Sequence, residues 1–187
     1  MKYLIAGLGN VGDEYTETRH NIGFKIVEAL ADEAGASFIS DRLASICEIK
    51  IKGKQLILIK PTTFMNLSGK AIKYWMNEHK IPKENVLVII DDLAIPFGSL
   101  RLRHRGSDGN HNGLTSVHES LGTDEYARMR FGIGSEFKRG QQVNYVLGKW
   151  SEEERKQLPE LVKKAADATK SFALQGIQKT MNQFNTK

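Results

Sequence analysis

Five short segments place polar side chains just beyond apolar stretches: GLGNVG with Asn10, TRHNIGF with His20 and Asn21, TTFMNLSGKA with Asn66, VLVIIDD with Asp91, and DGNHNGL with His111 and Asn112. In a chain that alternates strands and helices, such positions converge on a crevice outside the sheet edge. Each asparagine taken alone reads as a helix N-cap. Several such segments arriving with a histidine and an aspartate read as a site. Asp91 closes an all-apolar run, where an ionised carboxylate is costly unless paired or solvated. Histidine is its natural partner, because a carboxylate on one imidazole nitrogen fixes the tautomer and favours the imidazolium that forms when the other nitrogen takes a proton. His20 leads a helical period beside a glycine turn, whereas His79, His104 and His118 sit among charges and are expected to be solvated. The set suits attack of water on an acyl carbon: His20 as base, Asp91 holding and stabilising it, and asparagine amides positioning the water and the developing oxyanion.

Other chemistries fit less well. No serine or cysteine occupies a G-x-S-x-G elbow, so no covalent intermediate is expected. The histidines lack H-E-x-x-H spacing and there is one cysteine, Cys47, in the apolar stretch SICEIKI, so neither a metal nor a disulfide is expected and Cys47 reads as a buried hydrophobe. Gly7, Gly9 and Gly12 spell the dinucleotide fingerprint after a strand. Asp13, Glu14 and Glu17 follow it, and the helical period starts only after Asn21, so acid groups would face the phosphates. The glycines read instead as a tight turn carrying Asn10 to the end of the first strand.

The net charge is only +5, so the distribution of charge says more than its sum. In SLRLRHR, Arg101, Arg103 and Arg105 alternate with leucines and a histidine, and ARMRFGIG repeats the pattern with Arg128 and Arg130. Strands there would aim the arginines at one face, a potential suited to phosphates.

The elements that must position these residues follow from periodicity. Strands are expected at 2–6, 46–51, 55–60, 86–90, 99–104 and 127–134, with a hairpin turn at Gly53. Helical patterns run through Ile22, Ile26, Val27, Leu30 and Ala34, through Leu67, Ala71, Ile72, Trp75 and Met76, and through Leu114, Val117 and Leu121. The class is α/β: a three-layer α/β/α domain around a mixed, mostly parallel sheet. Ser151 followed by Glu154 is a capping box that opens a C-terminal helical region from about 151, which Pro159 is expected to restart as a first-turn proline. At 187 residues, with no repeat or linker, one domain over 1–187 is expected. No apolar run suits a membrane span and no signal peptide is read, so the expected place is the cytoplasm.

Taken together, GLGN, TRHNIGF, PTTFMNLSGKA, a strand ending in DDL, GNHNGL and RMRFGIG stand in an order that resembles the bacterial peptidyl-tRNA hydrolase family from end to end. The resemblance implies a monomeric cytoplasmic enzyme without metal or cofactor that cuts the ester between a peptide and the 3′ end of tRNA. It puts the catalytic histidine on His20, the supporting aspartate on Asp91, and the asparagine that tells N-blocked peptidyl from free aminoacyl esters on Asn10. Substrate-contacting positions fall on Tyr15, Phe64, Met65, Asn66 and Asn112, and two basic residues for the tRNA 5′ phosphate on Arg103 and Arg130. The chain departs from the family pattern at Val11, Ala94, Asp108 and Asn110. A noncatalytic RNA-binding protein on the same fold is the alternative, and the retention of His20, Asp91 and the asparagines speaks against it.

Overall fold

The apolar run Val86–Ile90 is the spine of a single mixed sheet, and both of its faces are covered. The computed structural model describes residues 1–186; Lys187, the last residue of the expected domain, lies outside them. In chain order the elements are β1 (Lys2–Gly7), α1 (Ile22–Glu33), β2 (Ile39–Asp41), β3 (Ala44–Ile51), β4 (Lys54–Pro61), α2 (Ser68–His79), β5 (Val86–Asp92), β6 (Leu100–Arg103), α3 (Asn112–Leu121), β7 (Ala127–Gly132), α4 (Gln142–Val146), α5 (Glu152–Gln175) and α6 (Ile177–Phe184). The strands lie in the order β2-β3-β4-β1-β5-β7-β6. The central strands β4, β1, β5 and β7 run parallel, and antiparallel pairs close both edges.

Alternate residues of the central strands face opposite layers, as the period of two requires. Leu4, Ile57, Val88 and Ile90 pack with Ile72, Trp75, Leu114 and Val117 of α2 and α3. Ile5, Leu58, Leu87 and Ile89 pack with Ile26 and Leu30 of α1 and with Val162 and Phe172 of α5. Cys47 is buried in the second of these layers as a free thiol. The hairpin turns at Lys52 and Gly53, both with positive φ, the geometry that matches strand twist in a two-residue loop. β2 escaped the sequence reading because its three residues are all exposed and give no apolar alternation.

The C-terminal region differs from expectation at Pro159. The Ser151–Glu154 capping box is present, but α5 runs unbroken through Pro159 to Gln175, and the break comes at Gly176. One lost ladder bond is offset by the buried stripe of Leu158, Val162, Ala165, Ala166 and Phe172. Beyond α6, Asn185 and Thr186 hydrogen-bond Leu102 and Leu100, which covers the free edge of β6.

Two glycines set the distance between the first helix and the sheet. A Cβ on Gly7 would lie 2.2 Å from the Gly23 carbonyl oxygen, and one on Gly23 would lie 2.7 Å from that of Ile89. The start of α1 therefore sits directly on the ends of β1 and β5. Short 3-10 turns at Asp13–Tyr15 and Arg19–Asn21 lead into it, so no helix opens at the glycine triplet and the dinucleotide fingerprint is only a likeness of spelling.

Candidate active site

Asp91, the sixth residue of β5, is brought against His20 by the turn that α1 seats on the same strand end. Nδ1 of His20 lies 2.9 and 3.0 Å from the two carboxylate oxygens of Asp91. His111, just ahead of α3, places Nε2 2.8 Å from Asp91 Oδ1. Asp91 is buried, with 3% of its side chain exposed, while His20 keeps 14% in reach of solvent. The two imidazole rings lie 5.3 Å apart.

The hydrogen bonds assign the protons. Nδ1 of His111 accepts from the Gly113 backbone N–H at 3.0 Å, so its proton is on Nε2 and is donated to Asp91. His20 meets the carboxylate through Nδ1, so that nitrogen carries its proton and Nε2 is left with a lone pair. Burial alone would lower the His20 pKa, but the charge of Asp91 and its hydrogen bond outweigh this and hold it above the ordinary value of 6.5. Burial likewise would raise the Asp91 pKa; the two histidines, by charge and by hydrogen bond, hold it well below the usual carboxylate range instead.

Asn10 and Asn21 act as a framework rather than as caps. Oδ1 of Asn21 accepts from the Asn10 N–H at 2.8 Å and its Nδ2 donates to the Asn10 carbonyl at 2.9 Å, which locks the Asn10 backbone from both sides. A Cβ on Gly9 would meet this same Asn21 oxygen at 2.8 Å, so the turn needs glycine there. The Asn10 side-chain oxygen accepts from Met65 N at 3.1 Å, leaving its amide NH₂ with no protein partner among the described residues. Met65 is buried, whereas Asn66 and Asn112 are exposed, Tyr15 is half-buried and Phe64 is 65% exposed. The aromatic ring of Phe64 is thus on the surface, not in the core. A cavity of about 600 Å³ opens beside Asn10, Lys25, Glu28, Lys60 and Arg155, but neither His20 nor Asp91 lines it. The paired histidines and carboxylate locate the chemistry better than this cavity does.

The arginine strands depart from expectation in two respects. Arg101 pairs with Arg130 and Arg103 with Arg128 across β6 and β7, so all four share a face. Arg101, Arg103 and Arg105 are exposed, but Arg128 is fully buried. Its guanidinium lies over the Tyr126 ring, 4.2 Å from the centroid, and donates to the carbonyls of Gly106, Asp124 and Tyr126. It is structural and unavailable to a phosphate. Nor is the face free of acid: Arg130 pairs with Asp92 at 3.2 Å and donates to the Ser107 carbonyl. His118 is also not solvated, since it bonds the Tyr126 hydroxyl at 2.6 Å and the Gly106 carbonyl at 3.1 Å. His79 stacks on Trp75, and His104 is exposed as expected. Asp108 accepts from the Thr115 hydroxyl and the Asn110 N–H, which fixes the loop ahead of His111.

One contributor has no role legible in the sequence, and another has a different task from the one its segment suggests. His111 stood in a quoted segment without a role, and the signal available was its place two residues before Gly113, where a side-chain acceptor caps the coming helix. Asn21 was grouped with the chemistry, yet its amide is spent on the backbone of Asn10. His20, Asp91 and His111 are also a donor set of metal-binding type. Their facing atoms hydrogen-bond one another directly, so an ion at about 2.0–2.2 Å from each would have to displace the protons that make those bonds.

Compared with known proteins, residues 4–187 match the family model described as peptidyl-tRNA hydrolase. The chain is 57% identical over 187 residues, 100% of both chains, to a peptidyl-tRNA hydrolase of Cytophaga hutchinsonii. It is 55% identical over 185 residues, 99% of this chain and 100% of the relative, to one of Porphyromonas gingivalis. The crystal structure of peptidyl-tRNA hydrolase from Acinetobacter baumannii shares the fold with a TM-score of 0.91 at 33% identity, over 98% of this chain and 94% of that one.

Proposed function

The chain belongs to the peptidyl-tRNA hydrolase family, and on that premise we propose that it hydrolyses the ester joining a peptide to the 3′ end of tRNA, with His20 as the general base. The observation that carries this reading is the pairing of His20 Nδ1 with a buried carboxylate, which leaves Nε2 free to take a proton. Water placed at Nε2 gives up its proton as its oxygen attacks the ester carbonyl. Asp91 holds the ring and stabilises the imidazolium, and that proton then serves the departing ribose oxygen.

Asn10 offers a basis for selecting blocked substrates. Its free amide NH₂ is a donor, and the carbonyl of an N-terminal amide on the substrate is an acceptor. An unblocked aminoacyl ester presents a protonated amine instead, so donor meets donor and the pairing fails. The exposed ring of Phe64 and half-buried Tyr15 offer flat surfaces for the terminal adenine or the peptide, with Met65, Asn66 and Asn112 completing the contacts. Arg103, exposed, and Arg130, after exchange of its Asp92 partner, take the tRNA 5′ phosphate. The enzyme works as a cytoplasmic monomer and needs no metal. Among the described residues no helix is long and apolar enough to cross a membrane, in keeping with this.

The test is His20→Ala. Loss of a general base lowers kcat by roughly 10²–10⁴-fold while tRNA binding persists. A variant that turns over at near the parent rate would remove His20 from the mechanism.

A further inference from the structure

Arg19 stands beside the proposed base, and the reaction as described gives it no task. Its guanidinium is largely enclosed, with 12% of the side chain exposed. Nη2 pairs with Glu154 Oε1 at 2.9 Å, Nη1 donates to the Tyr145 carbonyl at 3.1 Å, and the plane lies 4.1 Å from the centre of the Tyr145 ring. The Arg19 backbone N–H donates to the Gly148 carbonyl, and Thr18 bridges to Lys149. A Cβ on Gly148 would meet the Asn144 carbonyl oxygen at 2.9 Å and Arg19 Nη1 at 3.0 Å, so the turn after α4 packs closely on itself and on the guanidinium.

The contacts continue around a closed circuit. The Tyr145 hydroxyl donates to the Ile133 carbonyl at 2.6 Å, and Ile133 N donates to the carbonyl of Asp92, the residue after Asp91. Glu154 Oε1 also accepts from Ser151 N, so the capping box that starts α5 holds Arg19 as well. From His20 one route to Asp91 is the direct hydrogen bond, and the other runs through Arg19, Tyr145, Ile133 and Asp92.

We propose that Arg19 is a positioning residue for His20, acting through a latch with Glu154 and Tyr145 that fixes the base against Asp91. This rests on the reading of His20 as base. Planar, forked and stacked, the guanidinium reaches a carboxylate and a carbonyl at once, which a lysine ammonium on its flexible stem does not reproduce. A lone exposed ion pair would matter little, but here the guanidinium is held by a carboxylate, a carbonyl and an aromatic face at once, and Arg19 is the chain neighbour of His20.

The experiment compares Arg19→Gln, Arg19→Lys and Glu154→Gln with the parent, measuring kcat, KM and the acidic limb of the pH–rate profile on N-acetylaminoacyl-tRNA, with urea denaturation alongside. Misplacing a base by a fraction of an ångström costs about tenfold or more in rate, so Arg19→Gln lowers kcat by that order with KM within about twofold. Its acidic limb moves to lower pH, because His20 loses part of its hold on Asp91. Arg19→Lys and Glu154→Gln fall between, which keeps the test open should Arg19→Gln not fold. If the variants lose only denaturation midpoint, with kcat per folded enzyme and the limb unmoved, the latch is structural and the proposal falls. The parent must itself show a limb that depends on His20. Absence of that limb overturns the base assignment, whereas a limb present but unmoved by all three variants overturns the latch alone.

Discussion

Asp91 receives the Nε2–H of His111 at 2.8 Å on an oxygen that also lies 3.0 Å from Nδ1 of His20, so one carboxylate divides its charge between two imidazoles. His111 donates through Nε2, because its Nδ1 accepts from Gly113 N. Removing it turns more of the carboxylate's charge toward His20. His111→Ala therefore moves the acidic limb of the rate profile upward, and the loss of the Nδ1 contact at the start of α3 costs about 1 kcal/mol of stability. A limb displaced downward would contradict this division of charge.

The rate itself follows the state of His20. Its pKa is held above 6.5, and the base works only when neutral, so kcat/KM falls as pH drops through a value above 6.5. Asp91→Asn removes the charge that raises the pKa, while burial continues to lower it. The limb shifts to lower pH, and the plateau drops by roughly 10²-fold or more as tautomer and imidazolium lose support. A pH–rate series on both proteins reads the two effects, and an unchanged limb in Asp91→Asn would dissolve the pair.

How much of this was legible in the sequence depended on what each residue answers to. β5 and the bases of α1, α2 and α3 were plain because burial on one or both faces writes a period into the chain. His20 and Asp91 were legible because a carboxylate at the end of an apolar strand requires a partner. Arg128 misled because alternation assigns a face but says nothing of what covers that face: the Gly106 carbonyl and the Tyr126 ring enclose it. Pro159 misled because a local rule for helix starts yielded to the buried stripe of α5. His111 and Arg19 act through partners 20 and 135 residues away, a separation on which no local pattern reports.

The arginines separate by burial. Arg103→Ala weakens binding of 5′-phosphorylated tRNA and makes the salt dependence shallower by up to about one contact, with little change in stability. Arg130→Ala does the same but also frees Asp92 and the Ser107 carbonyl, so the loop ahead of His111 loosens as well. Arg128→Ala takes a donor from the carbonyls of Asp124, Tyr126 and Gly106, of which Gly106 keeps His118, and destabilises the fold by about 3 kcal/mol, with the salt slope intact. Filter binding across a salt series, paired with urea unfolding, distinguishes the three; a salt slope changed by Arg128→Ala and not by Arg103→Ala would reverse the assignment.

Gly23 tests the seating of α1. Alanine there brings Cβ to 2.5 Å from Leu8 N and 2.7 Å from the Ile89 oxygen, both backbone atoms. Gly23→Ala costs about 1–3 kcal/mol or more, and because His20 leads this helix, activity falls with it. An unaltered urea midpoint would show that α1 can back away from the strand ends.

The central claim is that this site cuts N-blocked aminoacyl esters of tRNA with His20 and without a metal. The most direct measurement is hydrolysis of N-acetylaminoacyl-tRNA beside the unblocked aminoacyl-tRNA, in EDTA, with His20→Ala run in parallel. The parent is expected to release the blocked amino acid rapidly and the unblocked one little, with no effect of EDTA, and His20→Ala to lose nearly all of this release. Release that EDTA abolishes, or that His20→Ala retains, would contradict it.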